Sequence, residues 1–180
     1  MTVVRAATLA DLPGLARTHT RSIVKAYAEI LHPDDLAIFT EANATSRFDE
    51  RIRNGEHVLL GEVDNVAAGN ARWGELTVED WPYQNLVHTL FVDPDFQGLG
   101  VGRALLSSCA SHAKQKSHEG MMIGCLTSNH LALEMYKWLG AREVEEEPIQ
   151  IGEHSYPNVF LAWDDLSELV ARLTSKAEAS

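Results

Sequence analysis

The feature that most constrains how this chain folds is a glycine-rich turn between an apolar strand and a helix. The apolar pattern predicts a strand over 86–92, and helical periodicity resumes over 101–116. Gly98, Gly100 and Gly102 lie at the junction of the two elements. Because glycine adopts backbone conformations that other residues avoid, such a turn aims successive N–H groups into one concavity, beside the positive end of the helix dipole. The turn therefore predicts a site for a phosphate group.

The glycines do not match two common nucleotide-binding motifs. A dinucleotide fingerprint needs a third glycine where Arg103 or Leu105 stands, and the Gly-Lys-Ser/Thr sequence of a phosphate loop is absent. The charges nevertheless favour an anion. The chain has 15 Lys and Arg against 26 Asp and Glu, a formal net charge of −11, yet no acidic residue lies between Phe96 and His118. The alternative is a flexible loop before a helix whose polar face happens to carry lysines.

Periodicity along the rest of the chain predicts one mixed α/β (α+β) domain over 1–165, with a C-terminal helical tail over 166–180. The pair Asp64-Asn65 predicts a β-hairpin turn between the second and third strands. Strands are predicted over 3–7, 57–63, 66–73, 86–92, 121–126, 142–150 and 158–163. Helices are predicted over 12–27, 35–53, 101–116 and 132–139.

Composition excludes several classes of partner. The acidic balance argues against nucleic acid and against anionic membranes, which both attract basic surfaces. No apolar run approaches the length of a membrane span and the first residues lack the pattern of a signal peptide, so a cytoplasmic protein is predicted. Cys109 and Cys125 are too few for a disulfide framework or a four-cysteine zinc site, and both are expected in the core. The histidines show no ligand spacing, so no metal site is predicted.

Two sequence blocks resemble the GNAT superfamily of acetyl-CoA-dependent N-acetyltransferases. The first, 97–102, fits the pattern Gln/Arg-x-x-Gly-x-Gly/Ala. The second, 129–141, fits Asn-x-x-Ala-x-x-x-Tyr-x-x-x-Gly-(Phe/Ala), with Asn129, Ala132 and Tyr136 at the named positions. Both blocks occur in the family's order and spacing, with a predicted strand between them. The resemblance implies a GNAT-type fold, in which a central mixed, mostly antiparallel sheet is flanked by helices.

The resemblance also implies acetyl-CoA as cosubstrate, with no metal. Backbone amides of 97–102, with Arg103 beside them, should bind the diphosphate, and 90–92 should pair with the pantetheine arm as an extra strand does. An amide near Val92 should polarise the thioester carbonyl. The implied cofactor-binding residues are Leu90, Phe91, Val92, Gln97, Gly98, Leu99, Gly100, Val101, Gly102, Arg103, Asn129 and Ala132.

Three residues are candidates for the chemistry. Tyr136 occupies the family position of the general acid for the departing sulfur. A phenol ionises near pH 10 and a thiol near about 8.5, which favours hydrogen-bond donation over full proton transfer. His88 is the leading candidate base because it shares strand parity with 90–92 and titrates near neutrality, and Glu75 is the next. The alternatives are a packed tyrosine, a packed or solvated histidine, and a solvated loop carboxylate.

These residues and the resemblance predict an enzyme that moves acetyl directly to a primary amine of a small molecule or a peptide. The alternative is a non-catalytic acyl-CoA sensor or assembly module of the same fold. The acidic balance mildly favours a cationic acceptor. Trp73, Trp81 and Tyr83 either line the acceptor site or pack in the core. The resemblance also suggests a homodimer.

Overall fold

The central element is a seven-stranded sheet, and the computed structural model describes residues 1–76 and 82–175 around it. Its strand order is β1-β2-β3-β4-β5-β9-β6, and every neighbouring pair is antiparallel except β4 and β5. The strands are β1 (Thr2–Ala6), β2 (His57–Val63), β3 (Val66–Glu75), β4 (Asn85–Val92), β5 (Met121–Leu126), β6 (Arg142–Glu146), β7 (Ile149–Ile151), β8 (His154–Tyr156) and β9 (Asn158–Trp163). The predicted mixed, mostly antiparallel sheet is confirmed.

Helices cover both faces of this sheet. They are α1 (Leu12–Tyr27), α2 (Pro33–Leu36), α3 (Glu41–Arg53), α4 (Val101–Gln115), α5 (His130–Trp138) and α6 (Leu166–Thr174). Alternation along β2 divides the core: Val58 and Leu60 pack with α1 and α3, whereas Leu59 packs with α4 and α5. The C-terminal helix α6 contributes Leu166, Leu169 and Leu173 to the larger core.

Two predicted elements are each divided in the structure. The helix predicted over 35–53 is α2 followed by α3, because the Thr40 side chain accepts a hydrogen bond from the Asn43 N–H (3.2 Å) and starts a new helix. The strand predicted over 142–150 is β6 followed by β7, and β7 pairs with β8 as a separate hairpin. Pro148 lies between them and cannot donate a ladder hydrogen bond, which explains the break.

The sheet opens at its centre, between β4 and β5. These parallel strands pair only at Leu86 with Met122 and at Val87 with Ile123. A bulge follows at once, because Arg72 of β3 faces Thr89 while the next β3 residue faces Val87. Beyond the bulge, β4 continues its pairing with β3 but has no partner on the β5 side. The result is an opening in the middle of the molecule.

A buried histidine on α1 couples folding to pH. His19 is 8% exposed, and its Nδ1–H donates to Asn70 Oδ1 (3.2 Å), while Asn70 Nδ2 donates to Thr18 Oγ1. Burial, reinforced by nearby arginines, lowers the pKa of His19 from 6.5 to about 4. The unfolded chain therefore binds a proton near pH 6.5 that the folded protein takes up only near pH 4.

We expect the stability conferred by neutral His19 to be complete above pH 6.5 and to be lost as the pH falls toward 4. The loss should reach about 3 kcal/mol of unfolding free energy, at 1.36 kcal/mol for each pKa unit. Urea unfolding across this range measures it in the wild type and in His19→Gln, with the exposed His130→Gln as control. Equal pH dependence in wild type and His19→Gln would contradict the assignment.

Candidate active site

The opening between β4 and β5 forms a cavity of about 630 Å³, here named the central cavity. Its wall comes from α1, the second half of β4, the glycine turn, β5 and α5. Most residues proposed from sequence line it: His88, Leu90, Phe91, Val92, Gln97, Gly98, Gly100, Val101, Gly102, Arg103, Asn129, Ala132 and Tyr136. Leu99 is 55% exposed outside the cavity wall, and Glu75 lies outside it too.

The glycine turn offers unpaired backbone donors to the central cavity. Gly98 and Gly100 have positive φ angles of 77° and 81°, and Gly100 is the N-cap of α4. None of the N–H groups from Gly98 to Arg103 makes a hydrogen bond of good geometry with the described part of the chain. Backbone donors and the helix dipole therefore point to the same place, which suits an anionic ligand such as a diphosphate.

An arginine on α1 forms ion pairs with the segment that leads into the glycine turn. The Arg21 Nε lies 3.0 Å from an oxygen of Asp93, and another of its nitrogens lies 2.7 Å from Asp95. Asp93 is 2% exposed and also accepts a hydrogen bond from the Asp95 N–H. Sequence reasoning missed Arg21, because a separation of more than 70 residues leaves no local pattern that could identify it.

Arg103 lines the central cavity, but its guanidinium is already engaged. It donates hydrogen bonds to the carbonyl oxygens of Arg172 (2.8 Å) and Ser175 (2.9 Å) at the end of α6. Its Cζ also lies 5.8 Å from the ring centroid of Trp138. These contacts tie α6 to the glycine turn, so the geometry supports backbone N–H groups rather than the Arg103 side chain as the main anion ligands.

Tyr136 of α5 projects into the central cavity from a packed position. The residue is 5% exposed, and its ring meets the Trp163 ring edge-on at 5.9 Å. Its hydroxyl has no hydrogen-bond partner among the described residues. Burial is the main cause that raises the pKa of Tyr136 well above the usual value of a phenol. The group therefore suits hydrogen-bond donation rather than release of its proton.

A second tyrosine, which sequence reasoning missed, lies close to the first. Tyr27 at the end of α1 lines the central cavity beside Cys125 and Asn129. Burial raises the pKa of Tyr27 to about 12, although a hydrogen bond with the Asn129 side chain partly opposes the effect. Asn129 Oδ1 meanwhile accepts from the Ala132 N–H (3.4 Å) and caps α5. The helical stripe of α1 identifies Tyr27 as helical, but nothing local distinguishes it from core.

The bulge in β4 changes the expected orientation of His88. Leu90 and Val92 pack on the core around α4, but the His88 ring lies against Gly74 and close to Arg72. The parity argument that grouped His88 with those two residues is therefore wrong, because a bulge places one extra residue in the strand. His88 still lines the central cavity. Although His88 as a whole is exposed, desolvation of its ring and the charge of Arg72 lower its pKa to about 4, which makes it a weak base.

A smaller cavity of about 270 Å³, the side cavity, adjoins the central one on the side of α1 and α3. The two share Tyr27, His88, Thr89, Phe91 and Gly124. Its remaining wall is mostly apolar. The charged residues in this wall are Arg47 and Arg51 of α3. A molecule in the side cavity would meet one in the central cavity at the bulge of β4.

The β7–β8 hairpin closes one wall of the side cavity and is fixed by a buried carboxylate. Asp35 of α2 is 1% exposed and accepts hydrogen bonds from the Tyr156 hydroxyl (2.5 Å), His154 Nδ1 (2.8 Å) and the Glu153 N–H (2.9 Å). Burial opposes ionisation of Asp35, but these donors outweigh it and hold its pKa below the usual value. Gly152 is required here, since an added Cβ would overlap the carboxylate.

Several residues proposed from sequence lie away from both cavities. Glu75 is exposed and paired with Lys116, so the geometry does not support it as a base. Trp73 is 2% exposed and stacks on His57, and Tyr83 packs in a small core and hydrogen-bonds Asp164; neither lines the central or the side cavity. Trp81 lies outside the described residues.

Within residues 1–76 and 82–175, no group of three His, Cys, Asp or Glu side chains is arranged to hold a metal ion. No helix in the described part of the chain is long and apolar enough to cross a membrane.

Comparison with known proteins adds independent information. A model of the acetyltransferase (GNAT) family matches residues 24–141. The L-amino acid N-acyltransferase MnaT of Escherichia coli is 27% identical over 175 residues, 97% of this chain and 96% of the relative. The L-methionine sulfoximine/L-methionine sulfone acetyltransferase of Pseudomonas aeruginosa is 28% identical, over 91% of this chain and 90% of the relative. An acetyltransferase from Salmonella typhimurium, solved with acetyl-CoA, has a TM-score of 0.63 at 19% identity and covers 100% of this chain and 98% of that one.

Proposed function

Because the chain belongs to the acetyltransferase (GNAT) family, we propose that it transfers the acetyl group of acetyl-CoA directly to a primary amine. The observation that carries the proposal is the central cavity, whose wall holds both the backbone donors of the glycine turn and the Tyr136 hydroxyl, all without a hydrogen-bond partner in the described part of the chain. The names of the relatives from Escherichia coli and Pseudomonas aeruginosa specify amino acids or amino acid analogues, which supports a small-molecule acceptor over a peptide. A cytoplasmic location and a homodimer stay predictions.

Acetyl-CoA fits the residues that are present. The N–H groups of Gly98 to Arg103 would bind the diphosphate, and the free side of 90–92 would hydrogen-bond the pantetheine arm. The thioester supplies an activated acyl group, whose transfer to the amine forms a C–N bond and breaks the C–S bond. A backbone N–H of β4 near Val92 would polarise the carbonyl, and Tyr136 would donate a hydrogen bond to the departing sulfur.

The amine must be neutral when it attacks. An alkylammonium ionises near pH 10, so proton transfer to His88, whose pKa is lowered to about 4, is strongly uphill. Desolvation where the two cavities meet instead lowers the pKa of the bound ammonium. We therefore assign the proton to water and give His88 the role of a neutral hydrogen-bond acceptor that orients the amine.

The role of His88 can be tested through the pH profile of kcat/KM. His88→Ala is expected to lower kcat/KM roughly five- to tenfold, the effect of one lost hydrogen bond, at every pH. The acidic limb should keep its position, because it reports ionisation of the acceptor amine rather than of the histidine. Loss of the limb in His88→Ala would instead establish His88 as the base.

The activity itself is tested by release of the coenzyme A thiol over a panel of primary amines, with acetyl-CoA binding measured in parallel by calorimetry. Turnover of any amine with formation of its N-acetyl product supports the enzyme. Tight binding of acetyl-CoA with no product from any amine favours the alternative of a non-catalytic acyl-CoA-binding module.

A further inference from the structure

We propose that the side cavity binds an acceptor that carries a carboxylate a few bonds from its reacting amine, and that Arg51 selects for this carboxylate. The inference rests on the proposed acetyl transfer and names the substrate class for it. It departs from the cationic acceptor that the net charge of −11 favours, because the local charge of this cavity has the opposite sign.

Arg51 is a half-buried cation in the wall of the side cavity without a partner. No ion pair or hydrogen bond of its guanidinium is found among the described residues. Its neighbours differ: Arg53 pairs with Asp49 at 2.8 Å, and Arg72 pairs with Glu56 at 3.0 Å. Partial burial of an unpaired charge is unfavourable, and an anionic ligand would remove that cost. Desolvation is the main cause that lowers the pKa of Arg51, as such a position requires.

The other polar groups of the side cavity also favour an anion. Arg47 lines it one helical turn before Arg51, and none of its described lining residues is an aspartate or a glutamate. Asn158 lines the cavity as well; the residue is 4% exposed and its Nδ2 has no acceptor within the described ranges. The side cavity therefore holds hydrogen-bond donors that lack acceptors. It has no carboxylate among its described lining residues that would bind a cationic side chain of the acceptor.

The position of the bulge fixes where the amine must lie. An amine held in the side cavity would reach the thioester where the two cavities meet, a junction that includes His88 and Thr89. Arg51 and His88 line the same side cavity of about 270 Å³, so one small molecule can reach both residues. The rest of the wall is apolar and includes Phe39, Ile149 and Ile151. A volume of about 270 Å³ suits a small α- or β-amino acid with an apolar side chain.

The wild-type protein provides the first test, in which each amino acid is compared with the amine that lacks only its carboxylate. L-Leucine is paired with isopentylamine, and L-methionine with 3-(methylthio)propylamine. We expect kcat/KM to be at least about 30-fold higher for the amino acids, the effect of one charge-assisted hydrogen-bond pair. Equal turnover of both members of each pair would overturn this inference and leave the proposed function intact. Absence of turnover with every amine would overturn both.

Two variants on one helix assign the effect to Arg51. Arg51→Gln is expected to raise KM for amino acids about 30-fold or more, with the isopentylamine rate and KM for acetyl-CoA unchanged within about twofold. Arg53→Gln is the matched control, since it removes a cation whose charge is already paired with Asp49. Equal KM values for amino acids in wild type and Arg51→Gln would exclude Arg51 as the selecting residue. Thermal unfolding of both variants shows whether each is folded.

Discussion

Replacement of Gly100 by aspartate is expected to weaken coenzyme A binding by at least about 100-fold and to leave the protein folded. Gly100 caps α4, where an added Cβ meets nothing within 4 Å. The new carboxylate would therefore fit, but it would stand where the N–H groups converge on the diphosphate. At an effective dielectric constant of about 20, like charges about 5 Å apart repel by roughly 3 kcal/mol. Isothermal titration calorimetry measures the loss directly.

Gly55 provides a close control for this substitution. Its φ of 75° resembles the 81° of Gly100, and an added Cβ again meets nothing within 4 Å. Gly55→Asp therefore imposes the same backbone strain far from the central cavity. We expect similar changes in unfolding free energy for both variants but normal coenzyme A affinity for Gly55→Asp. Equal affinities in the two variants would show that the glycine turn does not hold the diphosphate.

Tyr136→Phe is expected to lower kcat about 100-fold, the usual cost of removing one donor to a developing negative charge. KM for acetyl-CoA should change little, because the hydroxyl acts on sulfur only as the C–S bond breaks. Stability should also be preserved, since the ring keeps its edge contact with Trp163 and the hydroxyl has no partner among described residues to lose. Steady-state kinetics and thermal unfolding measure the two quantities.

Tyr83→Phe is the control that shows whether the loss of kcat is specific to the Tyr136 hydroxyl or follows from removing any tyrosine hydroxyl. The Tyr83 hydroxyl is bonded to Asp164 and Arg142 and lies outside both cavities. Its removal should lower stability and leave kcat unchanged, the reverse of the pattern expected for Tyr136→Phe. If Tyr136→Phe keeps full kcat, the phenol is a packing residue and the leaving sulfur is stabilised elsewhere.

Local sequence patterns predicted the parts of the site that one continuous segment builds. The glycine turn is one short segment, Asn129 and Tyr136 belong to another, and all of these residues except Leu99 line the central cavity. The Asp64-Asn65 turn was predicted in the same way, and its positive φ angles of 49° and 64° confirm it.

Parts of the site that depend on contacts between distant segments were not predicted. The bulge at His88 follows from how β4 pairs with β3, and it reverses a parity that the strand alone implies. In the sequence, Arg21 and Arg51 look like ordinary residues on the polar faces of helices. Only the folded structure shows that Arg21 faces Asp93 and that Arg51 lines the side cavity. Net charge is a property of the whole surface, so it gave no information on the sign of charge in one small cavity.

The short ladder between β4 and β5 means that the sheet is, in its hydrogen bonding, two smaller sheets joined at two residue pairs. A ligand arm that hydrogen-bonds to the free side of 90–92 would link the two smaller sheets and restrict their relative movement. We therefore expect the unliganded protein to bend most easily along the line between β4 and β5. Binding of the acyl donor would connect the two smaller sheets as well as supply the acetyl group. An inhibitor that reaches across the same line would lose affinity through the conformational entropy that this joint gives up, and its contacts would have to outweigh that cost.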